Sequence, residues 1–286
     1  MFQYEEYEKP YVDVFTDGFY DQLSKLVKEY FMDKPSFSKA ISMYRYDEYL
    51  LNTAAASSAP ATIYIEIDAP LNYKLSAKGK EYTYNHDNLK APALYLPLKT
   101  IKDNLYNIMV NSFDSNCTIW KSRYSIMLST YVEDEDEIKT FYTFNIIPCL
   151  TYRNRNGVKG VMYYNDYNSE VNVDYPKQSI INFRIKEKQT EGKLTKAVKT
   201  LKQTYMKLAK ETRLPTEIYE IICYNVPNEI IMKEDLTEMI KYLSKANLKE
   251  FKSIDEQDLA LATRNRVISA VYVRHVIKTL ERLINK

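Results

Sequence analysis

The sequence predicts an α+β fold in which a mixed sheet with flanking helices is followed by a helical C-terminal part. Three observations carry this expectation. The segment "ATIYIEIDAP" alternates Ile63, Ile65 and Ile67 with Tyr64, Glu66 and Asp68, the period of a strand with one apolar face. Two runs rich in β-branched and aromatic residues, "CTIWKSRYSIMLSTYV" and "IKTFYTFNIIP", flank the acidic loop Glu133 to Glu137 and read as further strands. After Pro176 the period changes: in "GKLTKAVKTLKQTYMKLAKE" the residues Leu194, Ala197, Val198, Leu201, Tyr205 and Leu208 share one stripe at about 100° per residue.

Taken in order, "DGFYDQLSKLVKEYF" sets Phe19, Leu23, Leu26, Val27 and Tyr30 at helical spacing. "SFSKAISMYRYDEYLLNTA", following Pro35, is expected to form a second helix. The strand at Ala61 comes next, then a helix in "PLKTIKDNLYNIMVNSF". The stretch "FNIIPCLTYR", Phe144 to Arg153, reads as the end of a strand that turns into a loop at Pro148. Later helices are expected in "TEIYEIICYNV", "KEDLTEMIKYLSKA" and "RNRVISAVYVRHVIKTLERLI". The boundary between the α+β core, residues 1–176, and the helical part, residues 177–286, falls at Pro176.

Composition narrows the function classes. Of the 286 residues 45% are hydrophobic, enough for a substantial core. Cys117, Cys149 and Cys223 lie far apart without a CxxC pair, and the charged start "MFQYEEYEKP" lacks the apolar centre of a signal peptide, so a cytoplasmic location is expected. No apolar run reaches the roughly 20 residues that span a bilayer, which argues against a membrane partner. His86 and His275 are too isolated for a zinc site, so any metal should be a hard ion held by carboxylates. With five glycines there is no glycine-rich phosphate loop.

Charge is unevenly spread. Lys177 to Arg213 carries a net +8 within a chain of net +2. A basic segment of this kind is either a solvated helix face or a site for phosphates. Lys193, Lys196 and Lys199 lie opposite the apolar stripe, whereas Lys202 and Thr195 fall on its flank, where Lys202 can border a cleft.

From Phe141 to Glu229 the chain resembles bacterial nucleotidyltransferases of the polymerase-β-like superfamily, in the branch of cyclic GMP-AMP synthase, oligoadenylate synthase and the bacterial cyclic-oligonucleotide synthases. "NIIPCLTYR" is similar to that family's third-carboxylate strand, with Asn145 where the acid stands. "GVKGVMYYND" and "VDYPKQSIINFRIKEKQT" look like the segment that precedes the helical half. "AVKTLKQ" and "EIYEIICYNVPNE" resemble two helical motifs that follow it.

The resemblance implies an in-line displacement at phosphorus, helped by two divalent ions clamped between carboxylates of neighbouring strands. Glu66 and Asp68 would be the alternate acids, catalytic and Mg²⁺-binding, with Asn145 in the third catalytic position. Ser57, Ser58, Lys177 and Lys202 would contact the nucleotide. The helical part would pack across the cleft.

Several departures oppose catalysis. Asn145 offers an amide oxygen but no charge. "AASSAPAT" lacks the glycine of the family's Gly-Ser phosphate motif, and Ser57 stands only nine positions before Glu66. Thr195 and Ser179 replace a frequent basic residue and a frequent histidine. Two functions therefore remain open: a weakened or inactive nucleotidyltransferase-fold protein binding a nucleoside triphosphate, nucleic acid or protein partner, and an active Mg²⁺-dependent enzyme making a cyclic or linear oligonucleotide or modifying RNA. In the first case no metal is required. A purely structural interaction protein is a third.

Overall fold

The computed structural model describes residues 12–32, 41–46, 51, 60–67, 74–75, 84–85, 92–133, 137, 139–153, 158–167, 170–209, 214–256 and 270–284. Two compact units are distinguished, one built on Tyr11–Asp47 and Ser58–Tyr175, the other on Pro176–Lys286.

Among its described residues the first unit holds a seven-stranded mixed sheet and two helices. Strands β1 (Ile41–Arg45), β2 (Ala61–Ile67), β5 (Thr118–Lys121), β6 (Ile126–Glu133) and β7 (Lys139–Arg153) lie in the order β1-β2-β7-β6-β5. Strand β8 (Lys159–Asn165) pairs with the far end of β7, and β9 (Glu170–Asp174) pairs with β8. A separate two-stranded ribbon joins β3 (Lys74–Leu75) to β4 (Tyr84–Asn85). Among the described residues only the β2–β7 pair is parallel.

The alternation in β2 works as the sequence suggests on one side: Ile63, Ile65 and Ile67 are fully buried beside Phe144 and Ile146 of β7. Helix α1 (Val12–Met32) reaches this face through Phe19, whose ring stacks on Phe144 at 3.8 Å between centroids. Helix α2 (Pro92–Ser112) buries Leu98, Ile101, Leu105 and Met109, an i, i+3, i+7, i+11 stripe. The opposite face is also partly covered. Tyr64, Ile147, Cys149, Val161 and Tyr163 form a buried cluster with Tyr44, Tyr46 and Tyr124 packed on it.

Three local expectations are corrected. Ile41–Arg45 is a strand, not part of a helix: Ile41, Met43 and Arg45 pair with Ile67, Ile65 and Ile63, and the ladder outweighs a helical pattern that was only weakly periodic. The run from Cys117 to Val132 is two strands, since β5 folds back onto β6 through Ser122, whose N–H bonds the Ser125 carbonyl at 2.8 Å. Finally, β7 does not end at Pro148 but continues to Arg153. Strand β6 pairs with β7 only up to Ile146 and β8 joins only from Leu150, so Pro148 stands in the gap between two successive neighbours, where its missing N–H interrupts neither ladder.

The second unit is helical. It contains α3 (Pro176–Gln189), α4 (Lys193–Ala209), α5 (Thr216–Tyr224), α6 (Asn228–Ile231), α7 (Leu236–Lys245) and α8 (Ala270–Glu281). Pro176 opens α3, where a proline costs no hydrogen bond. Glu187 accepts from the Thr195 N–H at 3.0 Å and so satisfies a donor in the first turn of α4. Asp235 caps α7 through the N–H groups of Thr237 and Glu238. The α4 stripe is buried from Leu194 to Tyr205, and Tyr205 meets the rings of Tyr219 and His275. Leu208 is 37% exposed in the last turn, because a periodic stripe is buried only as far as neighbours cover it.

Candidate functional site

Register decides which side chains can act together. In the parallel β2–β7 pair, Asn145 lies opposite Thr62, while Glu66 lies opposite Cys149. All four belong to the same face of the sheet, but Asn145 and Glu66 are four register steps apart, about 13 Å at strand spacing. Two ions about 4 Å apart, each about 2 Å from its ligands, can join groups separated by at most about 8 Å. Glu66 and Asn145 are therefore not neighbours in the ladder. Asp68, Ser57 and Ser58 lie outside the described residues.

The two side chains also have separate partners. Asn145 donates its Nδ2 to the Thr62 hydroxyl at 3.3 Å. Glu66, only 2% exposed, accepts from the Thr151 hydroxyl at 2.7 Å and from Ser42 at 3.4 Å, and pairs with Lys159 Nζ at 3.2 Å. Thr151 lies two residues beyond Cys149, so Glu66 is tied toward the end of the sheet away from Asn145. It is not the solvent-facing edge residue that alternation alone allows.

Between them on the same face stands Tyr64. Its hydroxyl donates to Asp174 Oδ2 at 3.1 Å, and its ring stacks on Tyr44 at 5.4 Å. Burial, reinforced by the Asp174 charge, pushes the Tyr64 phenol well above its ordinary value, so it remains a neutral donor. Asp174 holds the Tyr175 N–H with its other oxygen at 2.8 Å. Among the described residues no group of three His, Cys, Asp or Glu side chains could hold a metal ion. The donor set around Asn145, a threonine hydroxyl and a phenol, does not fit a two-Mg²⁺ centre.

A four-strand row crosses the sheet at Asn145. Trp120 pairs with Met127, Met127 with Asn145, and Asn145 with Thr62. Partners across a ladder point the same way, so these four side chains share one face. Trp120 is 41% exposed. The next row, Thr118, Ser129 and Thr143, carries three hydroxyls. Tyr64 and Ile147 bound the row on its other side. Sequence inspection missed this arrangement, because Trp120 and Asn145 meet only through two ladder registers.

In the helical unit, Lys177 stands half-buried in the first turn of α3. Lys202 is buried and donates to the Thr216 hydroxyl, so its ammonium serves internal packing rather than bordering open solvent. Thr195 and Ser179, which replace polar residues of the resembled family, are buried too. A groove of about 580 Å³ runs along α3 past Lys186, Tyr224 and Asn228. Lys186 donates there to the Val226 carbonyl and to Asn228. Its burial lowers its proton affinity.

No family model matches the sequence, and no curated protein matches it either. Solved structures do. The c-UMP-AMP synthase CdnE of Rhodothermus marinus, solved with Apcpp and Upnpp, superposes with a TM-score of 0.69 over 94% of this chain and 90% of its own, at 16% identity. The CdnE cyclic dinucleotide synthase of Elizabethkingia meningoseptica gives 0.65 over 94% and 92%, at 15% identity. CdnC of E. coli, in its complex with a HORMA protein, gives 0.52 over 95% and 84%, at 15% identity. The chain has the fold of the bacterial cyclic-oligonucleotide synthases. This is the mixed sheet with flanking and C-terminal helices that the sequence motifs imply. No helix among the described residues is long and apolar enough to cross a membrane.

Proposed function

We propose that this protein is a nucleotidyltransferase-fold protein that binds a nucleotide without joining it to another. The observation that carries the reading is the register: Asn145 faces Thr62, and Glu66 is held about 13 Å away by Thr151 and Lys159. In-line transfer at phosphorus depends on charge neutralisation by ions clamped between convergent acids. Thr62, Tyr64 and Asn145 contribute no carboxylate to that position. Nucleotide binding is supported by the shared fold with the two CdnE synthases, solved with Apcpp and Upnpp and with GTP and Apcpp. The chain's own residues keep what binding needs: exposed aromatic surface at Trp120, and hydroxyl and amide groups beside it.

The test is to incubate wild type and Asn145→Asp with Mg²⁺ or Mn²⁺ and mixed nucleoside triphosphates and to measure pyrophosphate. Neither should release it, because one restored acid opposite Thr62 does not rebuild a two-ion clamp. Release by the wild type that disappears in Glu66→Ala and Asp68→Ala would replace this reading with an active Mg²⁺-dependent enzyme.

A further inference from the structure

We infer that the row Trp120–Met127–Asn145–Thr62 is the floor of a metal-independent site for the uncharged part of a nucleotide, its base and ribose. The inference rests on the nucleotide-binding reading and adds where the ligand lies and which part of it is held. The row crosses four adjacent strands, β5, β6, β7 and β2, and so extends about 14 Å along one sheet face, enough for a base and its sugar side by side. None of its four side chains is charged. A floor built this way holds no phosphate through a salt bridge and no cation through a carboxylate.

What it does hold is set by the groups it presents. Trp120 supplies an indole face for stacking, and its Nε1–H makes no hydrogen bond among the described residues. Asn145 spends one Nδ2 proton on Thr62; its Oδ1 accepts nothing among the described residues, which leaves a donor and an acceptor side by side. The Thr62 hydroxyl, having accepted from Asn145, retains its own proton to donate. Met127 places a thioether between the indole and the amide, an adaptable apolar contact for a ring. The hydroxyl row Thr118–Ser129–Thr143 lies on one side, suited to ribose hydroxyls. On the other side the row is bounded by the buried Tyr64–Ile147 pair. An aromatic plane, an amide that reads a donor–acceptor edge, and flanking hydroxyls match a nucleoside.

Trp120 is the only tryptophan in the chain, so its fluorescence reports on the floor alone. The experiment titrates the full chain with adenosine, guanosine, cytidine and uridine and with their triphosphates, once in EDTA and once in Mg²⁺. Emission is excited at the red edge, and calorimetry runs in parallel. At least one nucleoside should change Trp120 emission saturably, equally with and without Mg²⁺, and its triphosphate should bind within a few-fold of it. Asn145→Ala should weaken that binding on the order of tenfold, and Trp120→Ala, followed by calorimetry, by tenfold or more. Calorimetric binding with Trp120 emission unmoved would overturn the site while leaving nucleotide binding intact. Binding that requires Mg²⁺ would overturn both the site and the reading that the metal centre is lost. No binding of any nucleoside or triphosphate would overturn the site and the proposed function together.

Discussion

Glu66 separates a structural carboxylate from a catalytic one, and the two make opposite predictions for Glu66→Ala. In the structure its buried carboxylate takes hydrogen bonds from Thr151 and Ser42 and pairs with Lys159. Hydrogen bonds to a charged group contribute about 1.5–3 kcal/mol, and breaking a fully buried ion pair costs about 3–5 kcal/mol. Lys159 is 42% exposed, so its ammonium recovers water when Glu66 is removed and the upper range does not apply. The Thr151 hydroxyl, by contrast, is left in a buried site. The net loss for Glu66→Ala should be about 2–3 kcal/mol, and for Glu66→Gln, which keeps an acceptor for Thr151, about 1 kcal/mol. Urea unfolding followed by Trp120 emission measures it, since that residue belongs to the same sheet unit. The midpoint should fall while the slope is unchanged. A Glu66→Ala protein as stable as wild type, with weakened Mn²⁺ binding, would refute this account and return Glu66 to the metal ligands.

Other consequences follow from packing. A Cβ at Gly160 would lie 2.6 Å from the Asp174 carbonyl and 2.7 Å from the Tyr175 ring, so Gly160→Ala should cost about 1–3 kcal/mol in the same urea assay. Lys102 is buried on α2 and bonds Asp166 at 2.5 Å and the Ser122 carbonyl at 2.6 Å, tying the helix to the β5–β6 turn. Lys102→Ala should cost about 3 kcal/mol and speed amide exchange in that turn, seen by hydrogen–deuterium exchange. Cys149 and Cys223 are fully buried, and burial pushes the Cys223 thiol up, so an aromatic disulfide reagent should titrate only Cys117 in the native protein and all three thiols in denaturant.

Much of the architecture was legible because periodicity is local. Ile63, Ile65 and Ile67 marked a strand, and the stripe from Leu194 to Tyr205 marked the core face of α4, since burial along one element follows from spacing alone. The motifs around Asn145, Pro176 and Asn225 pointed to the nucleotidyltransferase fold that the solved structures share. The strand character of Ile41–Arg45 is not legible locally, because it comes from pairing with β2, a long-range ladder that no local window contains. The place of Pro148 inside β7 is hidden for a related reason: it is the handover from β6 to β8 that makes room for a proline there. Lys202, placed on a flank by helical arithmetic, proved buried against Thr216, because the angle around a helix does not say what stands beside it.

The candidate site divides in the same way. The sequence by itself determined that Asn145 lacks the charge of an acid, that Glu66 shares a strand face with Tyr64, and that a single tryptophan is present. Which residues stand together was decided only by tertiary structure. A parallel ladder shifted by four residues would have put Glu66 beside Asn145; the observed register puts Thr62 there and aligns Trp120 and Met127 in the same row. Register is a property of two strands and the core they bury together, so neither strand's sequence contains it alone.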